Sequence, residues 1–355
     1  YTPETGFFVK DSWAAINYPS ISRNALMNAN FNVCQRNWTN PLSDHTKVSD
    51  RFWYCRGADE AVNVTKDTDV PDGRSSYSLK IACSTADASI GSTQYSVFEQ
   101  RIEGYNALRF VGQQATLSFW VKSNKAGTYC VSLRNSTPDR SYVAEYTINA
   151  ANTWEFKTVT LTFNYSGGTW NFTNGIGLRL TFALACGSSL QTTANAWQTG
   201  NYLATANQVN LMDSNTNTWQ ISRPQLELGA VPTDFEFLDY GTELAKCQRY
   251  FRRFGGTGNE IYLAIGQAYS TNRIQGILSF PSMRTTPTPT VSNAAKFQCS
   301  KSDSSQSAIT ALNYIAGLDS QNVIWVFNTA DLVAGNVSIL SAVDSTGYID
   351  VSAEL

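Results

Sequence analysis

Two strand-like segments carry side chains whose chemistry suits the binding of a sugar. Residues 115–122 alternate between apolar and polar, with Trp120 on the polar face, and residues 178–184 place Arg179 in the same way. A flat aromatic ring stacks on the C–H face of a sugar, and planar polar side chains bind its hydroxyls. If these strands share one sheet, we expect Trp120, Arg179 and a carboxylate such as Glu103 to line a groove. Packing of Trp120 in the core or between protomers is the alternative, because alternation does not reveal which face is covered.

Three further aromatic residues lie in loop-like segments and form a second set of ligand candidates, namely Trp170, Trp197 and Tyr202. Loops carry many binding residues because they run over the protein surface. Each of these rings could equally pin its own loop to the body of the protein. The sequence leaves both interpretations open.

Residues suited to catalysis are scarce. The single histidine, His45, lies in a polar segment with no recognisable partner, which excludes multi-histidine metal sites and argues against histidine-dependent acid–base chemistry. Glu99 and Glu103 share a strand face, but a glycosidase needs two carboxyl groups that flank the scissile bond. One strand cannot show such an arrangement. We therefore expect no enzymatic activity, and a glycosidase stays a minor alternative.

An acidic cluster is a candidate for calcium binding. Asp67, Asp69 and Asp72 precede Gly73, but their spacing lacks the glutamate and the loop length of an EF-hand. A turn that contains carboxylates is the favoured interpretation. The sequence predicts no metal ion and no cofactor.

Charge and composition narrow the class of protein. The 355 residues carry a formal net charge of −2, without the basic footprint of a nucleic-acid-binding protein. No run of about 18 apolar residues is present, so we expect no membrane-spanning helix. The seven cysteines are odd in number and widely spaced, which argues against a disulfide framework or a structural zinc site. Reduced thiols suit a protein that is assembled in a bacterial cytoplasm.

The elements that must position these residues are mostly strands. Period-two segments separated by turn signals such as Gly167-Gly168 predict an antiparallel sandwich or barrel. The chain begins at Tyr1 without an initiator Met or a signal peptide, so we expect a fragment boundary there. We predict four regions: a connector (1–23), a first β-domain (24–240), a linking helix (241–254) and a C-terminal β-domain (255–355).

Two features beyond residue 240 depart from plain strand alternation. A helix is predicted with Thr242 as its N-cap, because apolar residues recur at steps of three or four at Leu244, Cys247, Phe251 and Phe254. Its basic residues would complement the helix dipole or pair with acids of a neighbouring protomer; they are Arg249, Arg252 and Arg253. Three prolines then suggest an edge strand or an extended segment: Pro281, Pro287 and Pro289.

Several strings occur together in a fixed order along residues 24–355. They are Asn24–Phe31 (NALMNANF), Asp50–Trp53 (DRFW), Tyr77–Lys80 (YSLK), Gln100–Gly104 (QRIEG), Leu117–Lys122 (LSFWVK), Gln225–Gly229 (QLELG), Asp239–Tyr250 (DYGTELAKCQRY) and Tyr348–Leu355 (YIDVSAEL). In this order they resemble the carbohydrate-binding-module-like jelly roll and the C-terminal domain of tail-fibre proteins from tailed phages, notably those of marine and cyanobacterial hosts.

The resemblance implies an all-β fibre tip. It consists of a jelly-roll β-sandwich, a short connecting helix and a smaller C-terminal β-sandwich, assembled as a homotrimer. The implied role is that of a virion protein that recognises host-surface polysaccharide or lipopolysaccharide and is joined to an upstream fibre shaft or another tail protein. Related jelly rolls bind many glycans or serve as structure, so the resemblance does not imply which glycan is bound. The alternatives are an adaptor domain that binds another virion protein and a carbohydrate-binding module of a glycan-degrading enzyme.

Overall fold

A computed structural model describes residues 22–36, 46–258, 261–301 and 305–355. Nearly all of the predicted connector at 1–23 lies outside these residues, and so does His45.

The first unit is built from antiparallel strands. In chain order they are β1 (Thr46–Ser49), β2 (Phe52–Arg56), β3 (Ala61–Asp67), β4 (Ser78–Thr85), β5 (Tyr95–Glu103), β6 (Gln114–Ser123), β7 (Gly127–Arg134), β8 (Arg140–Ile148), β9 (Glu155–Thr162), β10 (Ile176–Cys186), β11 (Trp197–Thr199) and β12 (Thr218–Leu228). One helical turn, α1 (Gly104–Ala107), follows β5. The predicted strands at 115–122 and 178–184 are confirmed as parts of β6 and β10.

These strands form two sheets that face each other. The larger sheet has the order β1-β2-β5-β10-β7-β8-β11, and the smaller has the order β3-β4-β12-β6-β9. Apolar residues at alternate positions meet between them: the rings of Phe98 and Trp219 lie 6.0 Å apart, and those of Phe119 and Phe182 lie 5.1 Å apart. The predicted β-sandwich is therefore confirmed. Its jelly-roll connectivity and the trimer stay predictions.

The predicted linking helix is shorter than expected. Helix α2 covers Tyr240–Gln248, and Asp239 caps it by accepting a hydrogen bond from the Thr242 backbone, so the predicted cap at Thr242 is wrong. Residues Phe251–Gly255 form strand β13 instead of the last helical turns. They pair with strand β22 (Tyr348–Ser352), which satisfies their backbone groups and buries Phe251. Helical spacing of apolar residues did not reveal this distant partner.

The C-terminal unit is a smaller all-β body. Its remaining strands are β14 (Ile261–Ser270), β15 (Arg273–Ser279), β16 (Thr288–Val291), β17 (Phe297–Ser300), β18 (Gln306–Ala308), β19 (Ala311–Gly317), β20 (Asn322–Asn328) and β21 (Val337–Ala342). One sheet has the order β13-β22-β16 and the other has the order β18-β17-β21-β14-β15-β20-β19. Pro289 lies in β16, at the edge of the smaller sheet, as predicted. Trp325 is fully buried and packs against Gly276, where a Cβ atom would lie 2.4 Å from the indole ring.

Residues from the strings that carry the resemblance meet where the two units join. The buried Asn28 has a φ of 55°, and its backbone N–H donates to Glu243 of α2 at 2.6 Å. Arg51 pairs with Glu354, and its guanidinium stacks 3.5 Å from the centre of the Tyr250 ring. These residues hold the sandwich, the helix and the C-terminal strands together. Their types are therefore explained by structure rather than by ligand binding.

Two further observations concern the whole described chain. None of the seven cysteines, all of which lie in the described residues, forms a disulfide, and burial raises the pKa of Cys34 to about 11 and that of Cys186 to about 12. Within the described residues, no helix is both long and apolar enough to cross a membrane.

Candidate functional site

Trp120 and Arg179 lie on different sheets, which corrects the prediction that they are neighbours. Trp120 belongs to β6 of the smaller sheet, and Arg179 belongs to β10 of the larger sheet. Both project away from the core, because Phe119 and Leu180 on the same strands are fully buried. The hydrophobic core therefore separates the two side chains, and they cannot line one groove.

Trp120 lies at the floor of a groove on the outer face of the smaller sheet. It is half-buried, and its ring centre lies 5.3 Å from that of Phe156 on the neighbouring strand β9, at an angle of 53°. Phe156 is 46% exposed. The groove encloses about 380 Å³, and its lining comprises Asp72, Arg74, Ser118, Trp120, Phe156, Arg223, Thr233, Asp234 and Phe235. The predicted outward position of Trp120 is confirmed, and its burial in the core is excluded.

A bulge in β12 aims Arg223 at the groove. Ser222 is paired with Trp120 and Gln225 with Ser118, so Arg223 and Pro224 together stand opposite one residue of β6. Arg223 has a φ of 53°, a backbone conformation that is strained for a side chain of this kind. Its guanidinium lies 5.9 Å from the centre of the Trp120 ring. A strained residue at the edge of a groove is a common feature of binding sites.

One wall of the groove is the loop between β3 and β4. Asp72 forms an ion pair with Arg223, in which Oδ1 of Asp72 lies 2.7 Å from Nη2 of Arg223. Burial acts to raise the pKa of Asp72, but the hydrogen bonds from Arg223 and from the Arg74 backbone outweigh it and lower the pKa. Lys122, on the same face as Trp120, pairs with Asp69, whose carboxylate also accepts a hydrogen bond from the Trp154 indole at 2.9 Å.

The acidic cluster thus serves to anchor this loop. Asp67, Asp69 and Asp72 each face a different cation: Lys80, Lys122 and Arg223, respectively. In the described parts of the chain, no group of His, Cys, Asp and Glu side chains is arranged to hold a metal ion. The interpretation as a turn with carboxylates agrees with this arrangement.

Arg179 takes part in a buried ion cluster on the outer face of the larger sheet. Glu99 lies at its centre and accepts from Arg134 at 2.6 Å, from Arg101 at 2.8 Å and from Arg179 at 3.1 Å. Burial would raise the pKa of Glu99, but the three guanidinium groups lower it to about 2. Arg179 thus lies beside Glu99 rather than the predicted Glu103, and the nearby aromatic residue is Trp53 rather than Trp120.

Glu103 is not available to a ligand in the way that was predicted. It is 1% exposed and accepts hydrogen bonds from Arg249 at 2.7 and 3.0 Å and from the Tyr250 hydroxyl at 2.6 Å. The predicted basic cluster is also changed, because Arg252 and Arg253 lie on a strand and Arg253 pairs with Asp350 of the same chain. The Glu103–Arg249 pair joins the first unit to the segment after α2, whereas the Arg253–Asp350 pair lies within the C-terminal unit.

Trp197 lines a second pocket of about 450 Å³ at one edge of the sandwich. Its indole N–H donates to the Thr162 carbonyl at 2.9 Å, and its ring packs in a T-shape 5.8 Å from Trp170. Trp170 donates to the carbonyl of Gly167, three residues earlier in the chain. Trp170 therefore holds its own loop in place. Trp197 packs against Trp170 and also lines the pocket.

Tyr202 holds a loop against the larger sheet. Its ring is half-buried beside Cys130, Val143 and Ala204, and its backbone N–H donates to the Ser141 hydroxyl at 2.9 Å. Tyr202 and Trp120 lie on the outer faces of opposite sheets, so they do not belong to one site. The structure brings none of the other five predicted ligand residues next to Trp120.

Sequence reasoning missed most partners of Trp120. Arg223 precedes Pro224 inside a strand-like run, and a proline in such a run is a signal for a bulge. Phe156 and Phe235 had no comparable signal, because they reach the groove through strand pairing and the path of a loop. Asp72 was noticed only as a possible metal ligand.

Comparisons with known proteins give distant structural similarity. No protein-family profile and no curated protein sequence matches the chain. A bacteriophage CBA120 tailspike protein 4 domain is 15% identical, with a TM-score of 0.33, over 58% of this chain and 22% of that one. A family 11 carbohydrate-binding module from Clostridium thermocellum, in complex with a β-1,3-1,4-mixed-linked tetrasaccharide, is 12% identical, with a TM-score of 0.31, over 54% of this chain and 97% of that one. The module TmCBM61, in complex with β-1,4-galactotriose, is 10% identical, with a TM-score of 0.30, over 59% of this chain and 100% of that one. Similarity at this level assigns neither a ligand nor an activity.

Proposed function

We propose that this chain binds a glycan of a bacterial cell surface in the groove around Trp120 and releases it unchanged. The observation that carries the proposal is the floor of the groove. There the rings of Trp120 and the exposed Phe156 lie side by side, with their centres 5.3 Å apart. Aromatic faces stack on the C–H groups of sugar rings. Arg223, which is 4% exposed and lies in the wall of the groove, supplies a charged donor, and the more exposed Asp72 supplies a charged acceptor; such groups orient hydroxyl groups.

Binding without turnover fits the state of the carboxyl groups. A general acid for glycoside hydrolysis needs a raised pKa. The pKa of Glu99 is about 2, and that of Asp72 is lowered, so neither group carries a proton near neutral pH. Glu103 has its carboxylate engaged by Arg249 and Tyr250. These features support a binding protein over a hydrolase.

We further propose that the chain is the distal, receptor-binding part of a phage tail fibre and acts in the virion at the host surface. The support is the ordered set of strings along residues 24–355, which resembles such fibres. Host polysaccharide or lipopolysaccharide is the proposed ligand, and a fibre shaft or another tail protein is the proposed partner.

The homotrimer is also a proposal, and the outer face of the larger C-terminal sheet supports it. Ile277 stands opposite Ile324, and Ile265 stands opposite Ile339, in a row across four strands. Ile265 is 69% exposed and Ile277 is 52% exposed. The adjacent row, formed by Val326, Gln275, Gln267 and Val337, is also uncharged. Identical copies can meet on such a face without repulsion between like charges, so we propose that other copies of this chain cover it.

A glycan array tests the proposed ligand class. The intact chain is applied to bacterial surface polysaccharides and to their neutral and acidic fragments, alongside the Trp120→Ala variant. The expected result is a signal on a subset of glycans that the variant loses. An array with no signal, or a signal that Trp120→Ala leaves unchanged, would overturn the assignment of this groove.

A further inference from the structure

The pocket beside Trp197 lies at the far end of the strand that supplies Phe156 to the Trp120 groove. We infer that this pocket is a second subsite for the same glycan chain, which runs along the edge strand β9 and is uncharged where it meets Trp197. The inference rests on the proposed function and specifies its ligand as an extended chain of several sugar rings.

None of the side chains that line the pocket is charged. Its lining consists of aromatic rings, amides, hydroxyls and small apolar groups, namely Gln114, Tyr142, Thr160, Leu161, Thr162, Asn164, Asn195, Ala196 and Trp197. The rings of Tyr142 and Trp197 lie 5.6 Å apart. An aromatic wall with amides and hydroxyls around it matches the C–H faces and hydroxyl groups of a neutral sugar.

Two amide side chains of the pocket have hydrogen-bond donors and acceptors that are available to a ligand. Gln114 and Asn195 are exposed, and their amide groups make no hydrogen bond to any other described residue. Asn195 adopts a φ of 64°, and its backbone N–H donates to the Val143 carbonyl, so the residue is held in place while its amide stays free. A planar amide offers both donors and an acceptor to vicinal hydroxyl groups.

Strand register connects this pocket to the Trp120 groove. Along the outer face of β6 and β9, the pairs are Trp120 with Phe156, Ser118 with Thr158, Thr116 with Thr160, and Gln114 with Thr162. The first pair belongs to the groove and the last belongs to the pocket. Thr162 lies six positions after Phe156 in β9, which corresponds to about 20 Å along a strand. One sugar ring cannot reach both sites, whereas a chain of several rings can.

The exposed outer edge of β9 connects the two sites. The segment that follows β12 crosses β6 and reaches β9. The Gly229 carbonyl accepts a hydrogen bond from Thr116 of β6 at 2.8 Å, and the Ala230 carbonyl accepts one from Thr160 of β9 at 3.2 Å. This segment divides the groove from the pocket over β6. Because β9 is the edge strand of its sheet, Thr158, Thr160 and Thr162 remain exposed beyond this crossing. A glycan chain that passes along this edge can therefore use the hydroxyl groups of Thr158 and Thr162, whereas that of Thr160 is bonded to Ala230.

The experiment measures affinity against chain length with variants at each end. The probes are size-graded fragments, from monosaccharide to octasaccharide, of the neutral polysaccharides on the array, measured by calorimetry. Gln114→Ala/Thr162→Val removes polar groups from the pocket and leaves Trp197 untouched. The matched control is Asn63→Ala/Thr65→Val, at exposed positions on β3, the opposite edge of the same sheet.

We expect affinity to rise with length until a fragment spans both sites. The pocket variant should then weaken the longest fragments roughly tenfold, as expected for the loss of one or two hydrogen bonds, and leave the shortest unchanged. Trp120→Ala should weaken fragments of every length. If long and short fragments bind equally, or if the pocket variant and the β3 control behave alike, the second subsite is wrong while the Trp120 site stands. If no fragment binds, the proposed function falls and the second subsite falls with it.

Discussion

The Arg223 guanidinium lies 2.7 Å from the Asp72 carboxylate, and this pair closes one side of the Trp120 groove. Arg223 comes from a bulge in β12, and Asp72 comes from the loop after β3. The two residues are far apart in the chain, and the loop between β3 and β4 brings Asp72 to Arg223 of β12. Their pairing places opposite charges beside an aromatic floor, which is the arrangement from which we infer glycan binding.

Replacing Trp120 should impair binding more than folding. We expect Trp120→Ala to weaken glycan binding by tenfold or more, because an aromatic anchor at the centre of a site contributes on the order of 2 kcal/mol. Because the ring is half-buried on an outer face, its loss should lower the free energy of unfolding by only about 1 kcal/mol. Calorimetric titration and thermal melting of the same sample test both statements.

The adjacent residue provides the control. Phe119 is fully buried, so Phe119→Ala should cost about 3–5 kcal/mol of unfolding free energy. If Trp120→Ala destabilises the protein as much as Phe119→Ala does, Trp120 is a structural residue and not a ligand platform.

Glycine at position 223 should separate binding from backbone strain. Arg223→Gly removes the guanidinium and relieves the positive φ of 53°, which is worth roughly 1 kcal/mol for a residue with a side chain. We expect little change in Tm and about tenfold weaker binding, because a charge-assisted hydrogen bond is lost. Arg223→Lys keeps the positive charge but lacks the planar guanidinium group. Its affinity for the glycan should therefore lie between those of the wild type and Arg223→Gly. Unchanged affinity in Arg223→Gly would contradict a role for this residue.

The Glu99 cluster should make stability depend on acid pH. The pKa of the Glu99 carboxyl group is about 2 in the folded protein, whereas a glutamate in an unfolded chain titrates near 4.3. A lowered folded-state pKa means that the stabilisation is complete above about pH 5 and is lost as the pH falls from there towards 2. Urea unfolding measured across this range should show the loss.

Glu99→Gln should remove much of that pH dependence. It leaves three guanidinium groups without their carboxylate, so we expect a loss of roughly 3–5 kcal/mol at neutral pH. If wild type and Glu99→Gln show the same slope of stability between pH 5 and 2, the cluster does not control acid unfolding.

The assembly proposal is tested by mass. Light scattering at micromolar concentration should give three times the chain mass of 39.1 kDa. Ile265→Lys/Ile277→Lys puts two charges per copy on the proposed contact face and should yield monomer, since buried like charges repel. Gln267→Lys/Gln275→Lys in the adjacent row tests how far the contact extends. A wild-type mass of one chain would refute the trimer.

No depolymerase activity is expected. Incubating the protein with purified host polysaccharide should leave the size distribution of the polymer unchanged over hours, because the Glu99, Glu103 and Asp72 carboxyl groups are held by arginines. Size-exclusion chromatography of the polysaccharide follows this directly. Progressive shortening that one carboxylate substitution abolishes, for example Asp234→Asn in the groove, would make the protein an enzyme.

Local alternation was sufficient to predict which side chains share a strand face. Ser118, Trp120 and Lys122 project from one side of β6, and Arg179 and Thr181 project from one side of β10, as the period of two requires. The all-β class followed from the same signal. These features depend on neighbours within one strand, so the sequence alone determined them.

Strand pairing and loop paths decided the rest. They put Trp120 and Arg179 on opposite sheets, turned Phe251–Gly255 into a strand beside Tyr348–Ser352, and brought Arg223 to Asp72. Each of these outcomes joins residues that are distant in the chain, through backbone hydrogen bonds that any sequence can make. The identity of the partner strand is therefore set by packing of the whole core, and only the tertiary structure could reveal which residues share a site.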